Sequence, residues 1–351
     1  MTRAIETGHA GPIIGRSDGH GEAAVAAISS IAYGFMGSQA LFAALELGLF
    51  TELAEGPARA DELAGKLGAH PQPFRALLAA CTALHLIEQT GDHYRNTPAA
   101  DRFLVRHARG YMGHYYLQQI AGTLYSELPI ARTVVRGQSQ ATTYAHFLDD
   151  PARTEAFIRG QHAGSSGPAS LLAKSLDLSP FTRLLDLGGG SGSFAIEAVR
   201  RYPSLGAVVV DHPGVIAVAE KIVAEAHLQH RIEFATGNVV ADTWPAGADL
   251  ILLSYVVSSY QPETLRNLLA RAHAYLPPSG GLIIHDFALH GDRPGPRNSA
   301  LWLFANLAIS ATTHPYTVTE MVQMMAECGF VEIESRPHIP DITFVFVARR
   351  R

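Results

Sequence analysis

The chain has 351 residues, of which 47% are hydrophobic, and it carries a formal net charge of −5 with a pI near 6.4. This length and hydrophobic content allow two domains, and the acidic balance argues against a general binder of polyanions. The two cysteines, Cys81 and Cys328, are too far apart in sequence to indicate a disulfide framework, which favours a reducing cytoplasm. We expect no membrane span, since no stretch of about 18 residues is uninterruptedly apolar.

The amino-terminal region predicts a short arm followed by a helical domain. Residues 1–22 are polar and rich in Gly and His, so we expect a flexible arm. Between residues 23 and 105 the spacing of apolar residues is typical of helices, followed by a two-stranded hairpin with a Gly-Asp turn. The predicted elements are helices over Ser38–Phe50, Ala60–Leu67 and Pro73–Leu84, and a hairpin over Leu86–Thr97.

Two helices and a hairpin in this order predict a winged helix-turn-helix. Such units often bind DNA, but a helix that reads DNA needs several basic residues, and Pro73–Leu84 has only Arg75. We therefore interpret the domain as a protein-contact domain and expect no nucleic-acid partner. A transcription regulator remains the competing hypothesis, and DNA binding at physiological salt would support it.

The middle of the chain, residues 106–178, is again predicted to be helical. It holds an aromatic-rich run, Tyr111–Tyr116. These rings could pack in a core between domains, or they could form one wall of a pocket for an aromatic substrate. The sequence leaves both interpretations open.

From residue 179 to residue 351, strands and helices alternate, which predicts a doubly wound α/β domain with a mostly parallel, Rossmann-like sheet. Ligands of such sheets bind at the carboxyl ends of the strands, where Gly188, Asp211, Ser254 and Asp286 fall. The predicted strands are 183–187, 206–210, Ile232–Ala235, Leu250–Ser254, Leu282–Asp286 and Ile342–Ala348.

A glycine turn at the end of the first of these strands predicts a nucleoside cofactor. Asp186 is followed by Gly188, Gly190 and Gly192, and glycines allow a ligand to approach the backbone. The next strand ends at Asp211, whose carboxylate can accept hydrogen bonds from both ribose hydroxyls. Dinucleotide sites usually have Gly-x-Gly-x-x-Gly instead. The spacing here, with an acid before the turn, favours S-adenosylmethionine, whose amino-acid end is charged.

With these motifs the chain after residue 23 resembles the caffeate/acetylserotonin O-methyltransferase-like family, and within it the bacterial natural-product enzymes. The resemblance rests on Ser38–Phe50, Leu185–Gly192, Val210–Pro213, Gly237–Asn238 and Pro278–Gly281. It implies a winged-helix dimerisation domain, hence a homodimer, and a methyltransferase that uses S-adenosylmethionine on a small aromatic substrate. The residues that it implies at the cofactor are Asp186, Gly188, Gly190, Gly192, Asp211, His212, Asn238, Val239, Ser254 and Tyr255.

One segment departs from the family pattern. Oxygen methylation needs a base within reach of the acceptor hydroxyl, and in this family it is a histidine just after the fourth strand. Here the segment is Tyr255–Tyr260, and Ser258 stands where the histidine is expected. Asp286 matches the first supporting acid of the family, whereas Pro315 falls near the second. Asn238 likewise replaces an aspartate beside the adenine, and its amide could still accept a hydrogen bond from the exocyclic amine.

Three reactions fit this departure. We favour methylation of a ring carbon of an indole or phenol, which needs only a weak base late in the reaction. Oxygen methylation with another base, His285, His290 or His314, is the first alternative. A reaction that uses the cofactor only as a positive charge is the second, and an inactive homologue is a further possibility.

Candidate residues for catalysis and substrate binding follow from this interpretation. Tyr255 and Asp286 are the first candidates for handling the proton, with His285 and His290 behind them. No close-spaced ligand motif indicates a metal site. The residues expected to line an apolar aromatic substrate pocket are Tyr115, Tyr116, Trp302, Phe304, Asn306 and His314.

Overall fold

The computed structural model of the protein describes residues 19–138 and 150–351. They divide into two compact units, Met1–Gly110 and Tyr111–Arg351. Most of the arm predicted at residues 1–22 lies outside the described residues. From Gly19 onward the backbone is helical, so the first helix begins before the predicted domain boundary at residue 23.

The first unit combines helices with a small antiparallel sheet of order β1-β3-β2. Its elements are α1 (Gly19–Leu47), α2 (Leu49–Leu53), β1 (Ala58–Arg59), α3 (Ala60–Lys66), α4 (Pro71–Ala83), β2 (Ile87–Thr90), β3 (His93–Asn96) and α5 (Pro98–Phe103). Helix α4 begins with proline, which is favourable in a first helical turn, and it buries Phe74 and Leu78. The β2–β3 hairpin turns at Gly91, where φ is +62°. The predicted winged-helix domain is therefore confirmed in outline.

Helix α1 exposes a long apolar surface. Exposed apolar patches of this size mark sites of interaction. The most exposed of its large apolar side chains are Val25, Ile28, Ile31, Tyr33, Phe35 and Met36. By length and composition alone, the segment Ala23–Leu47 could also cross a membrane, although we expected no span because small and polar residues interrupt it.

The second unit begins with a helical segment, followed by a Rossmann-like domain. Its helical segment comprises a π-helix (Tyr115–Leu124), α6 (Tyr125–Glu127), a 3₁₀ turn (Leu128–Ile130), α7 (Ala131–Val135) and α8 (Pro151–Ser175). The sheet and its helices follow as β4 (Arg183–Leu187), α9 (Ser193–Arg201), β5 (Gly206–Asp211), α10 (Pro213–Glu225), β6 (Ile232–Thr236), β7 (Leu250–Ser254), α11 (Pro262–Tyr275), β8 (Gly281–Asp286), α12 (Arg297–Asn306), α13 (Val318–Glu327), β9 (Phe330–Pro337) and β10 (Phe344–Arg350).

The seven strands form one sheet of order β6-β5-β4-β7-β8-β10-β9. Strands β4 to β8 are parallel, and β10 is antiparallel to both of its neighbours. The chain proceeds from β4 towards one edge of the sheet, then returns to β7 and proceeds towards the other. The loops after β4 and β7 therefore diverge at a topological switch point, where such sheets bind their ligands.

Both faces of the sheet are covered. Alternate residues of a strand point to opposite faces, so Leu185 packs on one side with α11 and α13, and Leu184 packs on the other with α8, α9 and α10. Strand β9 escaped prediction because it lies at the edge and only Phe330 in it is buried. The predicted α/β fold with a mostly parallel sheet is confirmed.

Candidate active site

The glycine turn lies between β4 and α9 at the switch point. Gly188, Gly190 and Gly192 all have positive φ, at +69°, +56° and +75°, which L side chains adopt reluctantly. A Cβ on Gly188 would also lie 2.8 Å from Cγ2 of Val256, so space is lacking there as well. Gly192 caps α9 and does not line the cavity described below, whereas Gly188 and Gly190 do.

Asp211 holds this turn from the neighbouring strand. Its Oδ2 accepts a hydrogen bond of 2.9 Å from the Gly190 N–H, and its Oδ1 accepts one of 2.7 Å from the His212 N–H. Burial raises the pKa of this carboxyl, although the two N–H groups oppose the shift. The geometry fits the expected ribose contact because Asp211 and His212 both line the cavity and the carboxylate retains acceptor capacity.

Asp186 is the least satisfied polar group in this region. It is completely buried near the end of β4, and neither carboxylate oxygen accepts a hydrogen bond of normal geometry from the described residues, although the backbone N–H of Ala195 lies close enough to lower its pKa somewhat. Burial and the nearby charge of Asp211 raise its pKa to about 7. An orphaned carboxylate that lines a cavity is a site for a cation.

The loops after β4, β5, β6 and β7 enclose a cavity of about 730 Å³, within the range of ligand sites of roughly 300–1,000 Å³. Asp186 and Asp211 lie in its wall, and none of the described residues that line it is Lys or Arg. The cavity therefore suits a cation and lacks the basic groups that a pyrophosphate would need. Besides Asp186, Gly188, Gly190, Asp211 and His212, the predicted cofactor residues in its wall are Asn238, Val239, Ser254 and Tyr255.

Asn238 differs in detail from the expectation. Its Oδ1 accepts hydrogen bonds from the N–H groups of Val240 and Ala241, at 2.9 and 3.2 Å. Both lone pairs are thus occupied, so the amide has its N–H₂ group to offer the cavity. The expected acceptance from the exocyclic amine of the adenine stays a prediction, although the Asn238 oxygen already has two donors in this structure.

Helix α8 contributes cavity residues that sequence reasoning missed. Gln161 and Ser165 line the cavity, and their spacing of four residues places them on one helix face. Gly160 and Gly164 repeat that spacing, and a Cβ on Gly164 would collide with the Tyr115 ring at 2.4 Å. The sequence signal for this packing was the pair of glycines interleaved with Gln161 and Ser165. Glycines at 160 and 164 let the π-helix approach α8 closely. The segment 309–312 was missed as well, and it lines the cavity without a recognisable motif.

The position of the expected catalytic histidine does not reach the cavity. The Ser258 hydroxyl donates to Oδ1 of Asp286 at 2.8 Å, and the Ser258 N–H donates to Oδ2 at 3.1 Å. A third donor, the N–H of Phe287, also binds this carboxylate. Burial raises the pKa of Asp286 to about 6 against these bonds. Asp286 thus fastens the turn after β7 and is absent from the described wall of the cavity, contrary to its predicted role in handling the proton.

Tyr255 joins the cavity to an aromatic cluster. Its backbone is left-handed, with φ of +56°, and its ring centroid lies 5.2 Å from that of Phe287. Phe287 stacks on Trp302, 5.5 Å away and nearly parallel. Burial, the charge of Asp286 and the proximity of Tyr115 raise the pKa of the Tyr255 hydroxyl. The structure therefore brings two of the predicted pocket aromatics, Tyr115 and Trp302, close to the cavity wall.

His285 lies directly behind that wall. Its Nδ1 is 3.0 Å from Oγ of Ser254, and its Nε2 is 2.9 Å from Oγ1 of Thr343. The imidazole is fully buried, and burial together with the neighbouring His338 places its pKa well below the ordinary value. It reaches the cavity only through Ser254.

The remaining predicted residues lie elsewhere. The His290 ring packs on Phe344 and the His314 ring packs on Tyr316, so neither imidazole contributes to the cavity wall. Tyr116 directs its hydroxyl to Sδ of Met112. Phe304 is 45% exposed. The Asn306 carbonyl accepts from the N–H groups of residues 309 and 310 and so shapes the lining segment 309–312.

The residues present fit S-adenosylmethionine. The unpartnered Asp186 carboxylate suits a positively charged amino-acid end, and Gly188 leaves room where a side chain would meet Val256. Among residues 19–138 and 150–351 no group of three or more His, Cys, Asp or Glu side chains is arranged to hold a metal ion.

Replacing Asp186 by Asn is expected to stabilise the cofactor-free protein at high pH. Since the folded pKa of about 7 exceeds the ordinary 3.8, the folded state binds the proton more tightly, and stability falls as pH rises from about 4 through 7. Asp186→Asn removes that loss, so we expect a gain of about 1–3 kcal/mol in the free energy of unfolding at pH 8 and a smaller gain at pH 5, where only part of the loss is present. Urea unfolding at both pH values measures it.

The same variant should bind S-adenosylmethionine about tenfold more weakly at pH 8, equivalent to about 1.4 kcal/mol, because the carboxylate that faces the cation is gone. Titration calorimetry measures this affinity. Asp292→Asn, on an exposed side chain, is the matched control and should change neither quantity. Equal stability of wild type and Asp186→Asn at pH 5 and pH 8 would contradict the assignment.

Comparison with known proteins agrees with this site. A family model described as the O-methyltransferase domain matches residues 125–331, and one described as the O-methyltransferase dimerisation domain matches residues 29–106. The chain is 34% identical over 312 residues to the 3-hydroxy-5-methyl-1-naphthoate 3-O-methyltransferase of Streptomyces sahachiroi, covering 88% of this chain and 90% of that one.

A second relative, the N,N-dimethyltransferase OxyT of Streptomyces rimosus, is 32% identical over 256 residues and covers 71% and 74% of the two chains. Among solved structures, human N-acetylserotonin methyltransferase in complex with SAM superimposes with a TM-score of 0.81 at 26% identity, covering 96% of this chain and 99% of that one. The chain therefore belongs to the O-methyltransferase family, as a methyltransferase whose cofactor is S-adenosylmethionine.

Proposed function

We propose that this enzyme methylates a ring carbon of a small, electron-rich aromatic molecule such as an indole or a phenol. When bound, S-adenosylmethionine supplies an electrophilic methyl group on a positively charged sulfur. The proposal rests chiefly on Ser258, which is 1% exposed and commits its hydroxyl to Asp286. The serine at that position cannot take a proton from an acceptor hydroxyl, whereas a ring carbon can attack the methyl group before any proton is removed.

The chain's own groups support this reaction by binding and orientation. The carboxylates of Asp186 and Asp211 favour the cofactor's cationic and ribose parts on one side of the cavity. Tyr255, backed by Phe287 and Trp302, offers an aromatic surface on which a flat ring could lie. Holding the ring against the methyl donor lowers the activation barrier of methyl transfer substantially, even without a strong base.

Oxygen methylation is the second candidate, and the relatives favour it. The naphthoate enzyme is named a 3-O-methyltransferase, and the tetracenomycin enzyme of Streptomyces glaucescens, 31% identical, is named an 8-O-methyl transferase. That reaction requires a base other than residue 258. His290 and His314 are poor candidates because their rings pack on Phe344 and Tyr316, outside the described cavity wall.

The identity of the product separates these candidates. We expect incubation with indoles or phenols and S-adenosylmethionine labelled with ¹³C in its methyl group to give an aryl C-methyl product. Its ¹³C signal lies far upfield of an O-methyl signal, so one NMR spectrum distinguishes the two. Asp211→Ala, which removes the ribose contact, is the control and should lower the yield of the same product. An O-methyl signal would establish the second candidate, and tight cofactor binding without turnover on any aromatic would favour an inactive homologue.

We further propose that the enzyme is a homodimer formed through α1. Its apolar surface includes Ile28 at 68% and Ile31 at 76% exposure, and Ile31 lies within the segment, residues 29–106, that matches the dimerisation model. A second copy would cover this surface, so we favour it over a membrane. The single basic residue of the would-be DNA-reading helix, Arg75, is paired with Asp61, which supports a protein partner over nucleic acid. The two free thiols of Cys81 and Cys328 support a location in the reducing cytoplasm.

The double variant Ile28→Glu/Ile31→Glu is expected to halve the molar mass measured by light scattering after size-exclusion chromatography. Burying two carboxylates at an apolar interface would cost several kcal/mol. Leu171→Glu, which places one carboxylate at an exposed apolar position of α8, is the control and should leave the mass unchanged. A wild-type mass equal to one chain would refute the dimer.

A further inference from the structure

A buried polar chain leads from the cavity into the sheet. Ser254, at the end of β7, lines the cavity, and its Oγ is 3.0 Å from Nδ1 of His285 on β8. The other ring nitrogen, Nε2, is 2.9 Å from Oγ1 of Thr343. His285 and Thr343 are 0% and 1% exposed. The imidazole thus connects a cavity hydroxyl to a hydroxyl inside the protein.

The surroundings of His285 keep it neutral at rest. Phe194, Tyr255 and His338 surround the ring, with centroids 5.2, 4.7 and 4.7 Å away. His338 directs its Nε2 to the carbonyl of Pro168, at 3.1 Å. No carboxylate of the described residues hydrogen-bonds to either nitrogen of His285. A neutral imidazole has one donor and one acceptor nitrogen, so one of its two partners must donate to it.

We propose that Ser254 and His285 form a proton relay that replaces the base missing at residue 258, an inference that rests on the proposed methylation of an aromatic acceptor. Nε2 carries the hydrogen of His285 and donates to Thr343, while Nδ1 accepts the hydroxyl of Ser254. As the methylated ring loses its proton, the C–H bond breaks and its electron pair returns to the ring. The proton binds Oγ of Ser254, whose own hydrogen passes to Nδ1.

The relay then holds the charge briefly. The imidazolium keeps its Nε2–H bond to Thr343, and its new Nδ1–H bond to Ser254 returns the proton to water in the cavity when product leaves. Ser254 lines the cavity and would be the group that contacts the acceptor, whereas His285 would act through it as a positioning residue and proton store. The number of protons and electrons is unchanged over the cycle.

A weak base suffices for this step. A methylated aromatic cation is a far stronger acid than an imidazolium, so a buried imidazole can take its proton. The same imidazole would be a poor base for removing a phenol proton before methyl transfer. The relay therefore suits a reaction in which the proton leaves after the methyl group has been transferred, as in carbon methylation.

Isotope effects distinguish a relay from a structural role. With an acceptor deuterated at the reacting carbon, wild type should show no primary isotope effect because the relay makes proton loss fast. His285→Leu and Ser254→Ala should lower turnover about 100-fold. They should also develop a primary isotope effect, and affinity for S-adenosylhomocysteine should stay unchanged in His285→Leu, whose side chain lies behind the cavity wall. Ser254→Thr keeps a hydroxyl and should retain the wild-type behaviour, as should His273→Leu, a matched histidine that packs on Phe330.

A second measurement needs no turnover. The ¹⁵N shifts of His285 in the cofactor-free enzyme, assigned by comparison with His285→Gln, should show a hydrogen on Nε2 and none on Nδ1. A hydrogen on Nδ1, full activity of His285→Leu, or lost activity without an isotope effect would each overturn the relay.

The failure of the proposed function has a different signature. If wild type produces only an O-methyl product, carbon methylation is wrong and the relay is overturned with it, because this imidazole is a poor base for a hydroxyl proton. If wild type methylates no aromatic, the catalytic relay is overturned with the proposed function, and the Nε2–H tautomer then shows only that the hydrogen-bonded chain exists.

Discussion

The site depends on a carboxylate that the fold keeps dry and unpartnered. Asp186 is the penultimate residue of the central strand β4, and neither of its oxygens accepts a hydrogen bond of normal geometry from the described residues. Such a group costs stability unless a cation binds near it. The glycine turn around it is held by Asp211, which accepts a hydrogen bond from the Gly190 N–H. The unpartnered carboxylate of Asp186 and the turn-stabilising carboxylate of Asp211 therefore lie in the same small region of the cavity wall. The acidic wall of the cavity therefore favours a cationic cofactor, whichever substrate the enzyme uses.

The sequence predicted this half of the molecule well because short-range rules determine it. Strand β4, the three positive-φ glycines and the acid that ends β5 are local features, and all lie where expected. Edge strand β9 was missed because a half-exposed strand has no continuous apolar run. Gln161 and Ser165 were missed because they precede the sheet by more than ten residues in sequence, and only the packing of α8 against the glycine turn brings them to the cavity.

Side-chain direction was the least predictable property. Asp286 and His285 are adjacent on β8, and adjacent strand residues point to opposite faces. From the sequence both were candidates for the same task. In the structure Asp286 turns towards Ser258 and the loop after β7, whereas His285 turns towards Ser254 and Thr343. The alternation of β8 therefore separates Asp286, which holds the turn after β7, from His285, which we propose as part of the relay. From the sequence, alternation predicts that the two side chains point to opposite faces, but not which groups each face contacts.

The serine at residue 258 can then be related to the two faces of strand β8, which carry Asp286 on one side and His285 on the other. In a site with a cavity-facing base, an acid at position 286 would orient that base; here it accepts two hydrogen bonds from Ser258 and one from the Phe287 N–H. His285, on the opposite face of β8, reaches the described cavity wall through the Ser254 hydroxyl, in surroundings that disfavour its charge. A neutral, buried imidazole is a poor group for removing a proton from an acceptor before methyl transfer and is better suited to accepting one afterwards. The side of β8 that carries His285 is therefore the structural feature on which the proposed order of methyl transfer and proton loss depends.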